Sequence, residues 1–280
     1  MNKTIVTHIS VDLDAISSVW LIKRYLPGWP DAELKFVPAG TTLDGMSPDA
    51  NPDIIHVDTG LGQFDHHQTE DRNLCAAKLV LNYLYKNHHI QDKDHDALER
   101  VIKYVILDDN FGDVNLPDPD SDVYDFALHR IIDGFKRTLK NDVERCELVF
   151  KMLDASLQLF ILKIRAEKEL TKGYSFTSKY GKSLALDSEN ESVIKLALKK
   201  GFEFVLLHYP NDNTYRIKTL PSKKYDLTPL YEEIIKQDSK ATWFLHISKN
   251  MLLNGSSKRP DSVPSSLPLK TVIEIIKNLT

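Results

Sequence analysis

Hydrophobic and polar positions change period several times along the chain, and each change marks an element. Thr4 to His8 (TIVTH) is a short β-branched run that reads as a buried strand. Ala15 to Tyr25 places apolar residues at helical spacing, and Pro27-Gly28 ends the helix. Lys35 to Val37 predicts a second strand, and Asp53 to Asp58 (DIIHVD) a third. Helical spacing returns over Leu74 to Tyr85, Ala97 to Leu107, Asp122 to Thr138 and a long stretch from Asn141 to Lys172. Strands alternating with helices predict an α/β fold, a parallel sheet with helices on both faces.

Gly173 marks a change of pattern. Beyond it come a strand (SLAL), a helix (SVIKLALKK), two strands (FEFVLLHY and TYRIKTL), a helix (PLYEEIIK), a strand (TWFLHI) and a last helix from Leu269 to Asn278. Pro210-Asn211-Asp212-Asn213 is a hairpin signal between two of these strands. The expected division is therefore residues 1–172 and a smaller C-terminal α+β domain over 173–280, with a site in the cleft between them as the default.

Composition narrows the class without choosing a function. Of the 280 residues, 42% are hydrophobic and 27% charged, enough for a large core. A net charge of −4 argues against a chain built throughout for nucleic acid. Cys75 and Cys146 form no CxxC pair and read as reduced thiols, which predicts a cytoplasmic protein. No apolar run reaches the roughly 20 residues of a membrane span, so no membrane association is expected. The first residues enter a strand at once, so no signal peptide is expected. The oligomeric state stays open, a homodimer among the options.

Chemistry-bearing residues gather directly after strands. His8, Asp12 and Asp14 follow the first, Asp58 ends the third, and Asp65-His66-His67 comes seven residues later. Asp108-Asp109 closes the apolar run VIKYVIL. Ligands of open parallel sheets bind beyond the carboxyl ends of strands, so these residues can converge. Two divalent ions about 3.5–4 Å apart activate water and clamp phosphoryl charge, and a mixed imidazole–carboxylate set without thiolate suits manganese, with magnesium tolerated. Bland readings exist for each residue alone. Asp14 could simply cap the helix starting at Ala15, and His66-His67 could be a polar turn.

Other motifs read as decoys. Asp58-Thr59-Gly60 looks like a GTPase switch but no GxxxxGK[ST] loop accompanies it. Asp118, Asp120 and Asp122 lack the Gly and Glu of a calcium loop, and His95-Asp96 lies in a charged, solvated stretch. In the second half, His246 follows a strand. Asn254, Gly255, Ser256, Ser257, Lys258 and Arg259 form a polar loop with two cations that could bind a substrate phosphate. Trp243 and Phe244 read as core.

HISVDLD (8–14), HVD (56–58), DHH (65–67) and a later Asp, in this order, resemble the DHH phosphoesterase superfamily over roughly the first 110 residues. Within it, FDHHQ (64–68), Asp109-Asn110 and WFLH (243–246) look most like the melanocyte-proliferating-gene family of DHH-like exonucleases. The first motif departs from that family's pattern, and NGSSKR (254–259) stands where classical members carry a Gly-Gly-Gly-His run. The resemblance implies that His8 and Asp12 bind one metal and Asp14 the other. Asp58 would bridge, and His66 with Asp109, in preference to Asp108, would complete the second site. His67 would face the phosphate and Asp65 would orient the triplet.

The expected function is thus a metal-dependent phosphoesterase. Its partner would be a phosphorylated small molecule or short nucleic acid, including nucleotides, oligonucleotides or nucleic-acid ends. Inorganic pyrophosphatase and a non-catalytic nucleotide-binding regulator are the alternatives.

Overall fold

The computed structural model describes residues 3–255 and 259–279. It divides into two compact units, Met1–Ile161 and Leu162–Thr280.

The first unit contains a three-stranded parallel sheet in the order β2-β1-β3: β1 (Thr4–His8), β2 (Glu33–Val37) and β3 (Ile54–His56). β1 is central, and its continuous apolar and β-branched side chains are buried, as a strand covered on both faces requires. β2 is an edge, and Glu33 and Lys35 put charges along it. From β1 the chain leaves through α1 (Leu13–Tyr25) to β2 on one side, then crosses to β3 on the other. The carboxyl ends of β1 and β3 therefore flank a topological switch point, the place where such sheets open a ligand crevice.

Helix α1 is buried on nearly every side from Leu13 to Ile22, which makes it the central helix of this unit. It packs against α2 (Ala76–Lys86) and α3 (Asp92–Asp109). Helix α3 starts well before the expected Ala97. Asp92 and Asp94 in its first turn complement the helix dipole, so a charged stretch that reads as loop becomes helix. The segment Asp122 to Thr138 is broken rather than continuous. A 3-10 turn over Asp122–Phe126 is followed, after an extended Ala127, by α4 (Leu128–Thr138). Helix α5 (Asp142–Leu170) then runs through the division between the units.

The second unit holds a six-stranded sheet in the order β4-β5-β6-β7-β9-β8. Its strands are β4 (Tyr174–Ser178), β5 (Gly181–Asp187), β6 (Phe204–Tyr209), β7 (Thr214–Thr219), β8 (Trp243–Leu245) and β9 (Met251–Asn254). Only β5 and β6 pair in parallel, through α6 (Ser192–Lys199); the remaining pairs are antiparallel. Two apolar clusters form the core. One gathers Phe204, Tyr215, Trp243 and Leu252 with α7 (Thr228–Gln237) and α8 (Leu269–Asn278). The other joins Leu184, Val205 and Leu207 to α6 and to Ala166 of α5. The change of pattern at Gly173 and the packing division thus do not coincide, because the last turns of α5 belong to the second core. No helix among the described residues is long and apolar enough to cross a membrane.

Candidate metal centre

His8 is the last residue of β1 and Asp58 lies two residues beyond β3, so parallel pairing alone brings them together across 50 positions. The His8 Nδ1–H donates to the Ile9 carbonyl at 2.9 Å, which turns Nε2 inward. That nitrogen lies 3.2 Å from Asp58 Oδ2 and 3.5 Å from Asp12 Oδ2. Burial opposes charge on the ring, but the Asp12 and Asp58 carboxylates outweigh it and push the His8 pKa up to about 11. Asp12 is held below the usual carboxylate range: burial would raise it, and His8 more than compensates. Asp12 also caps α1, accepting from Ala15 N at 3.0 Å, so the capping reading offered for Asp14 belongs to Asp12 instead.

Asp14 points away from its own helix end. Its two oxygens accept from Ala76 N and Ala77 N at 2.7 and 2.8 Å, capping α2, whose N-cap residue Cys75 has no side-chain bond of that kind. The carboxylate is 2% exposed, and burial followed by the charges of Asp58 and Asp109 raises its pKa well above the ordinary value. Cys75 is itself buried, and burial and then Asp14 push its thiol far up. It therefore offers no thiolate.

His66 occupies the centre of the arrangement. Its Nε2 is 3.6 Å from Asp58 Oδ1, 3.6 Å from Asp109 Oδ2 and 3.7 Å from Asp14 Oδ2. These separations are too long for hydrogen bonds, and both His66 Nε2 and Asp58 Oδ1 are buried without a partner. The Asp58 carboxylate, against the opposing effect of burial, raises His66 to about 9. Asp109, the last residue of α3, is raised to about 6 by burial, partly offset by His66. Asp58 thus presents Oδ2 to His8 and Oδ1 to His66, on a backbone held at φ +54°, a left-handed conformation that non-glycine residues keep only under constraint.

Among the described residues, three groups have ligand atoms close enough to share a cation: His8, Asp12 and Asp58; Asp14, His66 and Asp109; and Asp58, His66 and His67. The donor set fits a divalent cation. Bonds of about 2.0–2.2 Å around one ion separate its ligands by roughly 3–4 Å, the spacing found around His66 Nε2. The orphaned nitrogen and oxygen are the atoms such an ion would satisfy.

Asp65 and His67 form a separate pair. Asp65 Oδ1 accepts from His67 N at 3.0 Å and from His67 Nδ1 at 2.7 Å, and Oδ2 accepts from Leu61 N at 2.7 Å. Burial would raise the Asp65 pKa, but these bonds lower it, so the carboxylate is ionised and the His67 proton sits on Nδ1. The His67 side chain is 58% exposed, with Nε2 unclaimed by this pair. Gly60, at φ +83°, lies in the same loop. A Cβ there would come within 2.7 Å of the Thr42 side chain, so the loop packs tightly on the segment before β3.

Asp108 faces elsewhere. Its Oδ1 is 3.7 Å from His129 Nε2, and His129 Nδ1 bonds the Tyr104 hydroxyl at 2.6 Å. Burial and the neighbouring Asp113 raise Asp108 to about 7. His129, on α4, carries no sequence signal of its own, since its partners lie on α3 and beyond.

The residues expected to bind substrate from the second half all lie in the second unit. Asn254 is fully buried, and its amide donates to Thr242 O and Val263 O while its oxygen accepts from Ser265 N, so the whole side chain serves the fold. His246 sits in the β8–β9 hairpin, bonded to Ser248 Oγ at 2.8 Å. Gly255 and Arg259 line an open cavity of about 520 Å³ with Tyr209, Thr214, Arg216 and several carboxylates. Ser256, Ser257 and Lys258 lie outside the described residues. Trp243 is core, whereas Phe244 is 48% exposed.

No family model matches the chain, and no curated protein does. Three similar solved structures are an uncharacterized protein from Helicobacter pylori, RecJ from Thermus thermophilus in complex with Mg2+, and the DHH domain of a member of the s1p family of ribosomal proteins. The first is 14% identical, with 99% of each chain covered and a TM-score of 0.28. RecJ is 12% identical at a TM-score of 0.30, and the match covers 99% of this chain but only 55% of RecJ. The DHH domain is 10% identical at 0.32, with 98% of this chain and 85% of that one covered.

Proposed function

We propose that this chain is a metal-dependent phosphoesterase of the DHH class, acting on a phosphorylated small molecule or a short nucleic acid. One observation carries the reading: an unpartnered, buried imidazole nitrogen, His66 Nε2, stands among three carboxylate oxygens at 3.6–3.7 Å. Without a cation His66, Asp14 and Asp109 hold protons more strongly than such groups ordinarily do; a cation would give the unpartnered His66 Nε2 and Asp58 Oδ1 a use. In this proposal His8 and Asp12 would hold one ion and Asp14, His66 and Asp109 the other, with Asp58 shared between them. Manganese suits the imidazole–carboxylate set, and magnesium would be tolerated. Two bound divalent ions would supply an activated water and neutralise phosphoryl charge.

The chain's own residues do the rest. Asp65 fixes the His67 ring through Nδ1, so that Nε2 presents to a phosphoryl or leaving oxygen. The exposure of His67 beside buried ligands suits it to touch substrate rather than to close the cage. Residues 173–280 would form the substrate-binding part, with Gly255 and Arg259 as contacts.

The test is an activity screen of purified protein with manganese over phosphate esters, pyrophosphate, cyclic dinucleotides and short RNA and DNA. Hydrolysis of at least one class is expected. Its rate should drop about 10²–10⁴-fold in His67→Ala, the size typical of losing a positioned acid or base. Absence of any activity, with metal content unchanged by Asp58→Ala, would sink the reading.

A further inference from the structure

Between His8 and Asp12 the chain passes through Ile9, Ser10 and Val11. Ile9 N still belongs to the sheet, donating to Val37 O at 2.8 Å. Ser10 then turns into the left-handed region at φ +59°. A serine stays there only where its surroundings impose it. The next two amides leave the sheet and meet a single side chain: Ser10 N donates to Asp142 Oδ2 at 3.0 Å and Val11 N to Asp142 Oδ1 at 3.1 Å. Successive amides gathered on one anion form a concave backbone nest, here filled by a carboxylate from 132 positions away.

Asp142 opens α5, yet its carboxylate bonds outside the helix's own capping arrangement. Asn141 Oδ1 accepts from Glu144 N at 2.9 Å, and Glu144 Oε2 accepts from Lys140 N at 3.1 Å, a local cap of the box type. One turn on, Arg145 donates to Asp142 Oδ1, and the two side chains are only 11% and 15% exposed. Arg145 balances the charge and fixes the rotamer, leaving the carboxylate aimed at the loop.

We propose that Asp142 is a positioning residue for the cation held by His8 and Asp12: it clamps the loop whose path sets the distance between those two ligands. The proposal rests on the metal-site reading above. Asp142 acts through Ser10 and Val11 and does not itself coordinate. Its effect is therefore selective, because Asp14, His66 and Asp109 are carried by α1, the 58–67 loop and α3 and receive no bond from Asp142.

The experiment titrates manganese alone into wild type, Asp142→Ala and Asp142→Asn, by calorimetry and by electron paramagnetic resonance, with melting curves in chelator. Wild type should bind two ions that give an exchange-coupled spectrum. Asp142→Ala should keep one ion at wild-type affinity and bind the other about 10–100-fold more weakly, the usual cost of removing a ligand's supporting partner. At one ion per chain its spectrum should be that of an isolated ion, held at the site that Asp109→Asn weakens. Asp142→Asn, with one acceptor oxygen left, should fall between, and it carries the same comparison if the alanine variant does not fold. A purely structural strut would lower the melting temperature without separating the two affinities. Equal loss at both sites, or wild-type binding at both, overturns the proposal. If wild type itself binds no manganese, the metal-site reading falls and the role of Asp142 with it.

Discussion

At the scale of single residues, the cage makes the metal-free protein sensitive to pH in a definite direction. His66 is raised from 6.5 to about 9, chiefly by Asp58, and His8 to about 11. A histidine raised on folding contributes stability that is complete below 6.5 and lost as pH rises through the folded value. Asp109, raised to about 6, adds a penalty that grows between 3.8 and 6, in the same direction. In chelator, the unfolding free energy should therefore fall between pH 6.5 and 9, by about 1–2 kcal/mol once solvent screening is allowed for. Asp58→Asn removes the main support of the His66 charge and should flatten that slope. Metal inverts the trend, because ligands must lose protons to bind it. Urea titrations at several pH values check this; a stability that is level or rises over that range in chelator would contradict it.

At the scale of elements, ligands that look alike in sequence carry opposite structural duties. Asp14 caps α2, so Asp14→Ala should destabilise even the metal-free protein, by about 1–3 kcal/mol, through two lost amide partners. Asp109 ends α3, where the helix dipole disfavours an anion, and its raised pKa shows that its charge is held at a cost. Asp109→Asn should stabilise the metal-free protein at pH 8 by about 0.5–2 kcal/mol while weakening metal binding. Matching signs for the two variants in chelator would refute this division of labour. The same contrast explains what could be read from the sequence. That His8, Asp12, Asp14, Asp58 and the 65–67 triplet converge was legible because they lie at or beyond the carboxyl ends of strands, and parallel pairing converts that sequence position into proximity. Asp142 and His129 were not, because their roles come from contacts made in the folded state by helices that look like ordinary amphipathic segments. Strands β4 and β9 escaped for the same reason. MLLN becomes a strand by pairing between β7 and β8, and nothing local distinguishes it from a loop entry. The break at Ala127 and the early start of α3 are boundary effects of polar stretches, where helical spacing gives little signal.

At the scale of the whole molecule, all three candidate ligand groups found among the described residues fall within Met1–Ile161. The second unit has its own sheet and two apolar clusters, with no metal group of this kind among its described residues. Ligand linkage then makes the two units thermally distinguishable. A cation at 100 times its Kd adds about 2.7 kcal/mol to the fold that binds it and nothing to a fold that does not. For a unit of this size, that corresponds to a rise of about 5–10 °C in melting temperature per ion, so about 10–20 °C for the two ions proposed. Scanning calorimetry in chelator and in manganese should therefore show one transition that moves by about that amount and one that stays. A single transition that moves as a whole would overturn the assignment of metal stabilisation to the first unit alone.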